Sequence, residues 1–150
     1  LYGRGPPPGG YTTIKATNLF NAVKKKQNKP TQPPIYRASE RLLSWAMPIV
    51  DSLPKSLACQ TLGGLLIRDL HDCLGTILIA KDATDTGAKI QAIKLLLVSL
   101  TSIQTTMRTF TELRAVSLKQ EADFLDLVNP ITNQAKGWLR KWENEVAVAE

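Results

Sequence analysis

The side chains able to carry chemistry in this 150-residue chain are few. His71 is the single histidine; Asp69 and Asp72 flank it one helical turn apart, and Asp123 and Asp126 repeat that spacing. Carboxylate pairs of this kind occur in metal sites, but there they stand on several helices with histidine partners. A hydrolase or nuclease would need a metal held between Asp69, Asp72 and another helix. We favour solvated helix faces, and the sequence predicts no catalytic residue, no metal and no cofactor.

The remaining short motifs support the same interpretation. The sequence contains no CxxC or HExxH pattern, and Gly63-Gly64 lacks the preceding strand that a phosphate-binding loop requires. Cys59 and Cys73 lie fourteen positions apart on one predicted helix. At the rise of an α-helix they are roughly 21 Å apart and cannot form a disulfide with each other. We expect two small core residues in a reducing compartment, the cytoplasm.

The basic residues are distributed unevenly along the chain. Residues 1–35 carry six basic residues and no acid, whereas residues 36–150 hold thirteen basic and thirteen acidic residues. The net charge of +6 therefore belongs to the amino-terminal part. Basic segments bind nucleic-acid phosphates. The candidate nucleic-acid-binding residues are Lys15, Lys24, Lys25, Lys26 and Lys29 in the amino-terminal part, and Lys89, Lys94, Arg108, Arg140 and Lys141 in the body.

Residues 1–34 are predicted to form a flexible basic arm rich in proline and glycine. A short helix over 13–26 is possible, because its apolar residues would form one stripe and Lys24–Lys26 would suit its carboxyl end. Three interpretations stay open: a solvated arm, an arm that binds RNA or DNA phosphates, and an arm that orders on a partner. A membrane-surface helix is disfavoured, because the apolar face spans only two turns.

The body is organised around residues 57–107. Apolar residues recur there at steps of three and four, first over 62–78 and then over 90–107, with a polar turn at 81–87. This pattern predicts two long helices in an antiparallel hairpin, followed by a polar connection at 108–116. The apolar faces are wider than one bundle should need, which predicts an oligomer. Gly63, Gly64 and Gly75 favour close approach of another backbone, within the bundle or from another subunit.

Two further helices complete the body. The first runs from about 35 to 52 with Pro48 inside it, and Ser52 is predicted to cap the next helix with Pro54 in its first turn. The last begins at Ser117, where Gln120 completes a capping box. Its apolar seam has heptad-like steps that stay in phase across Pro130: Phe124, Val128, Ile131, Ala135, Trp138 and Trp142. The sequence therefore predicts an all-α, antiparallel up-down-up-down four-helix bundle over residues 35–145.

Several short motifs resemble a known bacterial family. Met47-Pro48-Ile49, followed by Leu53-Pro54-Lys55 at the start of a helix, is similar to the motifs between its first two helices. Gly137-Trp138-Leu139 resembles its closing motif, and Ala80-Lys81-Asp82 falls where its second helix ends. This is the family of small four-helix-bundle proteins that contains the accessory variability determinant proteins of diversity-generating retroelements. It also contains proteins encoded in intervening sequences of large-subunit ribosomal RNA genes.

The resemblance covers about residues 36–142 and implies a ring of five bundles, a homopentamer. For the retroelement branch it implies a non-catalytic protein that binds a reverse transcriptase and its template RNA. Its structural motif residues are Pro48, Pro54, Lys55, Gly137 and Trp138. The alternative is a structural or ribosome-associated bundle oligomer without a retroelement role. Neither possibility involves a membrane.

Overall fold

The structure, a computed structural model, describes residues 32–149, and this part of the chain holds four α-helices and no strand. They are α1 (Pro34–Asp51), α2 (Leu57–Asp82), α3 (Thr86–Glu112) and α4 (Leu118–Ala149). Each helix packs against its two ring neighbours, in the order α1–α2–α3–α4 and back to α1. The predicted all-helical architecture with four helices is confirmed. The predicted short helix at 13–26 lies outside the described residues.

One continuous core fills the space between the four helices. Apolar side chains of α2 and α3 provide its centre, and the seam of α4 closes it against α1, where the Trp45 and Phe124 rings lie 6.0 Å apart. Burial of this apolar surface is the main force that holds the helices together. The largest fully buried side chains are Ile35, Leu42, Leu66, Leu70, Ile77, Ile93, Leu96, Leu100, Ile103, Met107, Phe110 and Phe124.

The starts of α2 and α3 are set by local caps. Ser56 caps α2 by accepting a hydrogen bond from the Cys59 N–H, and Asp85 caps α3 by accepting one from the Ala88 N–H. The predicted cap at Ser52 is wrong, because the Ser52 hydroxyl donates to the Pro48 carbonyl and so finishes α1. Pro54 consequently lies in the link between the two helices.

The predicted connection at 108–116 is shorter than expected, because α3 continues to Glu112. Phe110 is fully buried, and its burial draws the extra turn into the bundle. Threonines in this stretch satisfy their hydroxyls within the helix, as Thr109 and Thr111 do by donating to carbonyls four residues earlier. Packing therefore outweighs the weak helix propensity of threonine.

A Schellman motif ends α3 and turns the chain into α4. The Ala115 N–H donates to the Phe110 carbonyl and the Arg114 N–H to the Thr111 carbonyl, with Arg114 at a φ of 61°. The predicted capping box then starts α4. The Gln120 side chain accepts from the Ser117 N–H at 2.9 Å, and the Ser117 hydroxyl accepts from the Gln120 N–H at 3.0 Å. The short link makes α3 and α4 antiparallel.

α4 passes through Pro130 as one helix and runs to Ala149, beyond the predicted end at residue 145. Pro130 points to solvent and Asp126, one turn earlier, is exposed, so water reaches the carbonyl that lacks its helical donor. The phase of the apolar seam is therefore kept on both sides of the proline.

The helix glycines fall into two groups. A methyl group added at Gly63 would lie 3.0 Å from Leu53 Cδ1 and 3.1 Å from Val50 Cγ1, so this glycine admits close packing within the bundle. At Gly64, Gly75 and Gly137 an added methyl group would meet nothing within 4 Å. Each of these three glycines costs about 1 kcal/mol of helix stability relative to alanine. The described bundle gives no packing reason for that cost.

Candidate nucleic-acid interface

The structure describes half of the candidate basic residues. Lys15, Lys24, Lys25, Lys26 and Lys29 lie outside the described residues. Of the body candidates, Lys89 is half-buried, whereas Lys94, Arg108, Arg140 and Lys141 are exposed. The bundle therefore offers four solvent-facing cations from the predicted set, distributed over α3 and α4.

Lys89 is engaged inside the bundle. Its Nζ donates to the carbonyls of Ala80 at 3.1 Å and Lys81 at 3.0 Å, in the last turn of α2. The same Nζ lies 5.2 Å from the ring centroid of Trp142 on α4. A cation stabilises a helix carboxyl terminus and an aromatic face alike. Lys89 therefore joins three helices, which leaves at most one N–H for a phosphate.

We expect Lys89→Met to lower stability more than it lowers nucleic-acid affinity. The change keeps the aliphatic stem but removes two charge-assisted hydrogen bonds, which should cost about 1–3 kcal/mol. Denaturant unfolding measures this loss, with Lys94→Met as the control because Lys94 is exposed and forms no hydrogen bond within the described bundle. Equal stability of the two variants would contradict the conclusion that Lys89 joins α2, α3 and α4.

Helix register brings two of the predicted cations to one level. The Lys89–Trp142 contact indicates that, in the antiparallel α3–α4 pair, Lys94 lies near the level of Gly137. Lys136 and Arg140 flank Gly137 at an (i, i+4) spacing and share a face of α4. We call Lys94, Lys136 and Arg140 the α3–α4 basic group. Sequence reasoning assigned Lys136 no role, because the level of one helix against the next is not readable from spacing along the chain.

The other two cations lie apart from this group. Arg108 is fourteen residues after Lys94 on α3, roughly 21 Å along the helix axis. Lys141 follows Arg140 directly and is therefore turned about 100° around α4. The body candidates thus form no single basic face, because the register brings only Lys94 and Arg140 of them to one level.

The motif residues behind the family resemblance lie at two places. Pro48 and Lys55 line an open depression of about 440 Å³ between α1 and α2, together with Met47, Val50, Asp51, Gln60 and Ile67. Pro54 is exposed in the adjacent link, and Gly137 and Trp138 lie far along α4. Trp138 is half-buried with its ring 5.3 Å from that of Trp142, which is itself 8% exposed. The more deeply buried anchor of this seam is therefore Trp142.

The two carboxylate pairs and the histidine are exposed or partly exposed. Asp69 accepts a hydrogen bond from the Ser102 hydroxyl at 3.1 Å, which ties α2 to α3, and Asp123 pairs with Lys119 at 3.2 Å. His71 and Asp72 are exposed. Among the described residues, no three His, Cys, Asp or Glu side chains come close enough to hold a metal ion together.

Cys59 and Cys73 are free and buried in α2, as predicted. Burial, with a smaller contribution from the charges of Asp69 and Asp72, raises the pKa of the Cys73 thiol to about 12. The thiolate is the reactive form, and the raised pKa keeps the Cys73 thiol protonated near neutral pH. Cys73 is therefore an inert core thiol.

We expect Cys73 to react with a thiol reagent at pH 8 far more slowly in the folded chain than in urea, measured on Cys59→Ser so that only Cys73 reports. The raised pKa also predicts a pH effect on stability. Above pH 9 the unfolded thiol releases its proton while the folded one keeps it, so stability falls as pH rises towards about 12. Rapid labelling of the folded variant at pH 8 would contradict this burial.

By length and composition α3 could cross a membrane, with a mean hydropathy of 1.2 over its best 18 residues, but the core helix of a soluble protein passes the same test. The apolar seam of α3 is buried against α2 and α4. The structure is therefore consistent with a soluble protein.

Comparison of the chain with protein-family models, curated proteins and solved structures found no match in any of the three.

Proposed function

We propose that this chain is a non-catalytic accessory protein that binds RNA through its basic amino-terminal residues and assists a reverse transcriptase. The role in a diversity-generating retroelement, with the template RNA as the nucleic acid bound in the cytoplasm, is the one that the sequence resemblance implies. The helical body serves as the scaffold that presents the basic segment and docks on the enzyme.

One observation carries the proposal: the separation of charge between the two parts of the chain. Residues 1–35 hold an excess of six positive charges, whereas residues 36–150 are neutral. Phosphate contacts dominate non-specific nucleic-acid affinity, so binding should follow the segment with the unbalanced charge. Within the bundle, Lys89 is occupied and the remaining candidate cations are dispersed, which supports the same assignment.

The α3–α4 basic group supplies a second, smaller contact for the same RNA. Lys94, Lys136 and Arg140 are exposed, and the Lys89–Trp142 contact indicates that they lie near one level of the bundle. Three such cations can bind one or two phosphates and hold the RNA against the body. The basic segment and this group together would position RNA without reading its sequence.

The direct test is a pull-down of this chain with the reverse transcriptase of a diversity-generating retroelement, with and without nuclease treatment. Association that survives nuclease supports protein contact, and association lost to nuclease supports an RNA bridge. No association under either condition contradicts the proposal.

A structural homo-oligomer without a retroelement role is the second candidate, and exposed apolar side chains favour it. Leu95 and Val98 on α3 are 62% and 66% exposed, and Ile79 on α2 is 61% exposed. The Asp69–Ser102 contact places the α3 pair on the outer side of the α2–α3 hairpin. Side chains of this size are normally covered when a larger assembly forms.

We expect light scattering at micromolar concentration to give a multiple of the 16.5 kDa chain mass, with five copies as the number that the resemblance implies. A mass equal to one chain would contradict the predicted oligomer. A confirmed oligomer that does not bind RNA would favour this second candidate over the proposed accessory role.

A further inference from the structure

α2 carries a second seam on the side opposite the core. Its members recur at heptad-like steps along the whole helix, and every one is exposed. The seam has a large apolar side chain near each end, Leu57 at 84% and Ile79 at 61% exposure. Between them lie two glycines and a pair of opposite charges. We call this set the outer α2 seam: Leu57, Thr61, Gly64, Arg68, Asp72, Gly75, Ile79 and Asp82.

Within the described bundle, no contact accounts for the two glycines or the charged pair of the outer α2 seam. Gly64 and Gly75 are helix glycines beside which an added methyl group would meet nothing. Arg68 and Asp72 are one turn apart, yet neither forms a salt bridge with another described residue. The order Arg before Asp is the less favourable one for pairing along a helix. Both features are therefore available to a partner helix.

The seam is complementary to itself when reversed. If a second α2 lies antiparallel across it, with a two-fold axis near residue 70, Gly64 lies opposite Gly75 and Arg68 lies opposite Asp72. Ile79 then lies opposite Thr61, with Leu57 and Gly64 one turn to either side. Because the arrangement is two-fold, every contact occurs twice, including two Arg–Asp pairs. No residue of the seam meets a like charge in this register.

We propose that two copies of this chain associate through their outer α2 seams, antiparallel and related by a two-fold axis. The paired glycines allow the two backbones to approach to the short end of the usual 8–10 Å interaxial range. Ile79 of each copy is covered by Leu57 and Thr61 of the other. One helix pair buries less surface than a standard interface, so we expect the contact to be weak. This inference does not depend on RNA binding.

Charge reversal on the full chain tests the pairing. In Arg68→Asp, residues 68 and 72 are both acidic, and in Asp72→Arg both are basic. Because residue 68 of one copy faces residue 72 of the other, two copies of the same variant repel each other. Both sites are exposed, and circular dichroism checks that the fold is kept. The two-fold contact joins two equal units, either two single chains or two rings. At a concentration where the unmodified chain is paired, we therefore expect each single variant to halve the mass measured by light scattering. Mixing the two variants, or combining both changes in one chain, should restore the original mass.

The experiment in which the two variants are mixed tests whether a second copy of this chain covers the seam. If another protein or a different surface of this chain covered it, complementary variants would not rescue each other. An unchanged mass for both single variants, or failure of the mixture to regain the original mass, would overturn the proposal. Lys119→Asp on α4 is the control for charge reversal at an exposed site and should leave the mass unchanged.

The glycines give an independent variant pair. Gly75→Leu adds a side chain into space that is open within one bundle, so the chain should fold while two-fold association weakens by about tenfold or more. Gly137→Leu makes the same change at an exposed helix glycine outside the seam and should leave association unchanged. Equal association of the two variants would contradict the close approach at Gly75.

Discussion

Replacing Phe124 by alanine should destabilise the bundle by about 3–5 kcal/mol, the usual range for a fully buried large aromatic side chain. Phe124 has no exposed surface and its ring lies 6.0 Å from that of Trp45, so its removal opens a cavity between α1 and α4. Domains of this size have about 5–15 kcal/mol of total stability, and the loss should be evident as a large fall in the denaturation midpoint.

Leu118→Ala on the same helix is the matched control. Leu118 is 77% exposed, so its truncation should change the free energy of unfolding by no more than about 0.5 kcal/mol. If Phe124→Ala does not fold, Phe124→Leu keeps the test quantitative because it leaves a smaller cavity. A cost below about 1 kcal/mol for Phe124→Ala would contradict the packing of α4 against α1.

The second large effect concerns the salt dependence of RNA binding. Replacing Lys24, Lys25 and Lys26 by alanine should lower the slope of log affinity against log salt by about 2–3, since each lost phosphate contact removes about 0.7–0.9. Three adjacent lysines hold half of the six positive charges of residues 1–35. Filter binding over a range of salt concentrations measures both affinity and slope, and thermal unfolding checks that the bundle is unchanged.

The matched control removes Lys94, Arg108 and Arg140 from the bundle in the same way. If the amino-terminal lysines dominate, this variant should lose less affinity and less slope than the lysine variant. The opposite order would show that RNA is held by cations of the assembled bundles and that the amino-terminal segment only tethers.

The sequence predicts the parts of the fold that depend on neighbouring residues. The Ser117–Gln120 capping box and the phase of the α4 seam across Pro130 were both readable, because three- and four-residue spacings determine them. The sequence predicts Ser52 as the cap of α2, whereas Ser56 is the cap. Both serines precede the helix, and only the conformation of the link determines which of them caps it. The extra turn of α3 required knowing that Phe110 would be buried.

The candidate site depends on relations between helices, which spacing does not show. The sequence predicts Lys89 as a nucleic-acid-binding candidate, but its ammonium contacts α2 and α4. Lys136 was overlooked, although register places it beside Arg140 and level with Lys94. The sequence indicates close backbone approach at Gly63, Gly64 and Gly75, within the bundle or from another subunit. The structure shows close packing at Gly63 only, and the space beside Gly64 and Gly75 is open within the described bundle.

The most direct test of the central claim is a filter-binding titration of the unmodified 150-residue chain with single-stranded RNA, between about 50 and 200 mM salt. We predict binding at the lowest salt and a slope near −4, because the six amino-terminal cations each contribute about 0.7 on a single strand. Absence of binding at about 50 mM salt would contradict the proposal that this protein binds RNA.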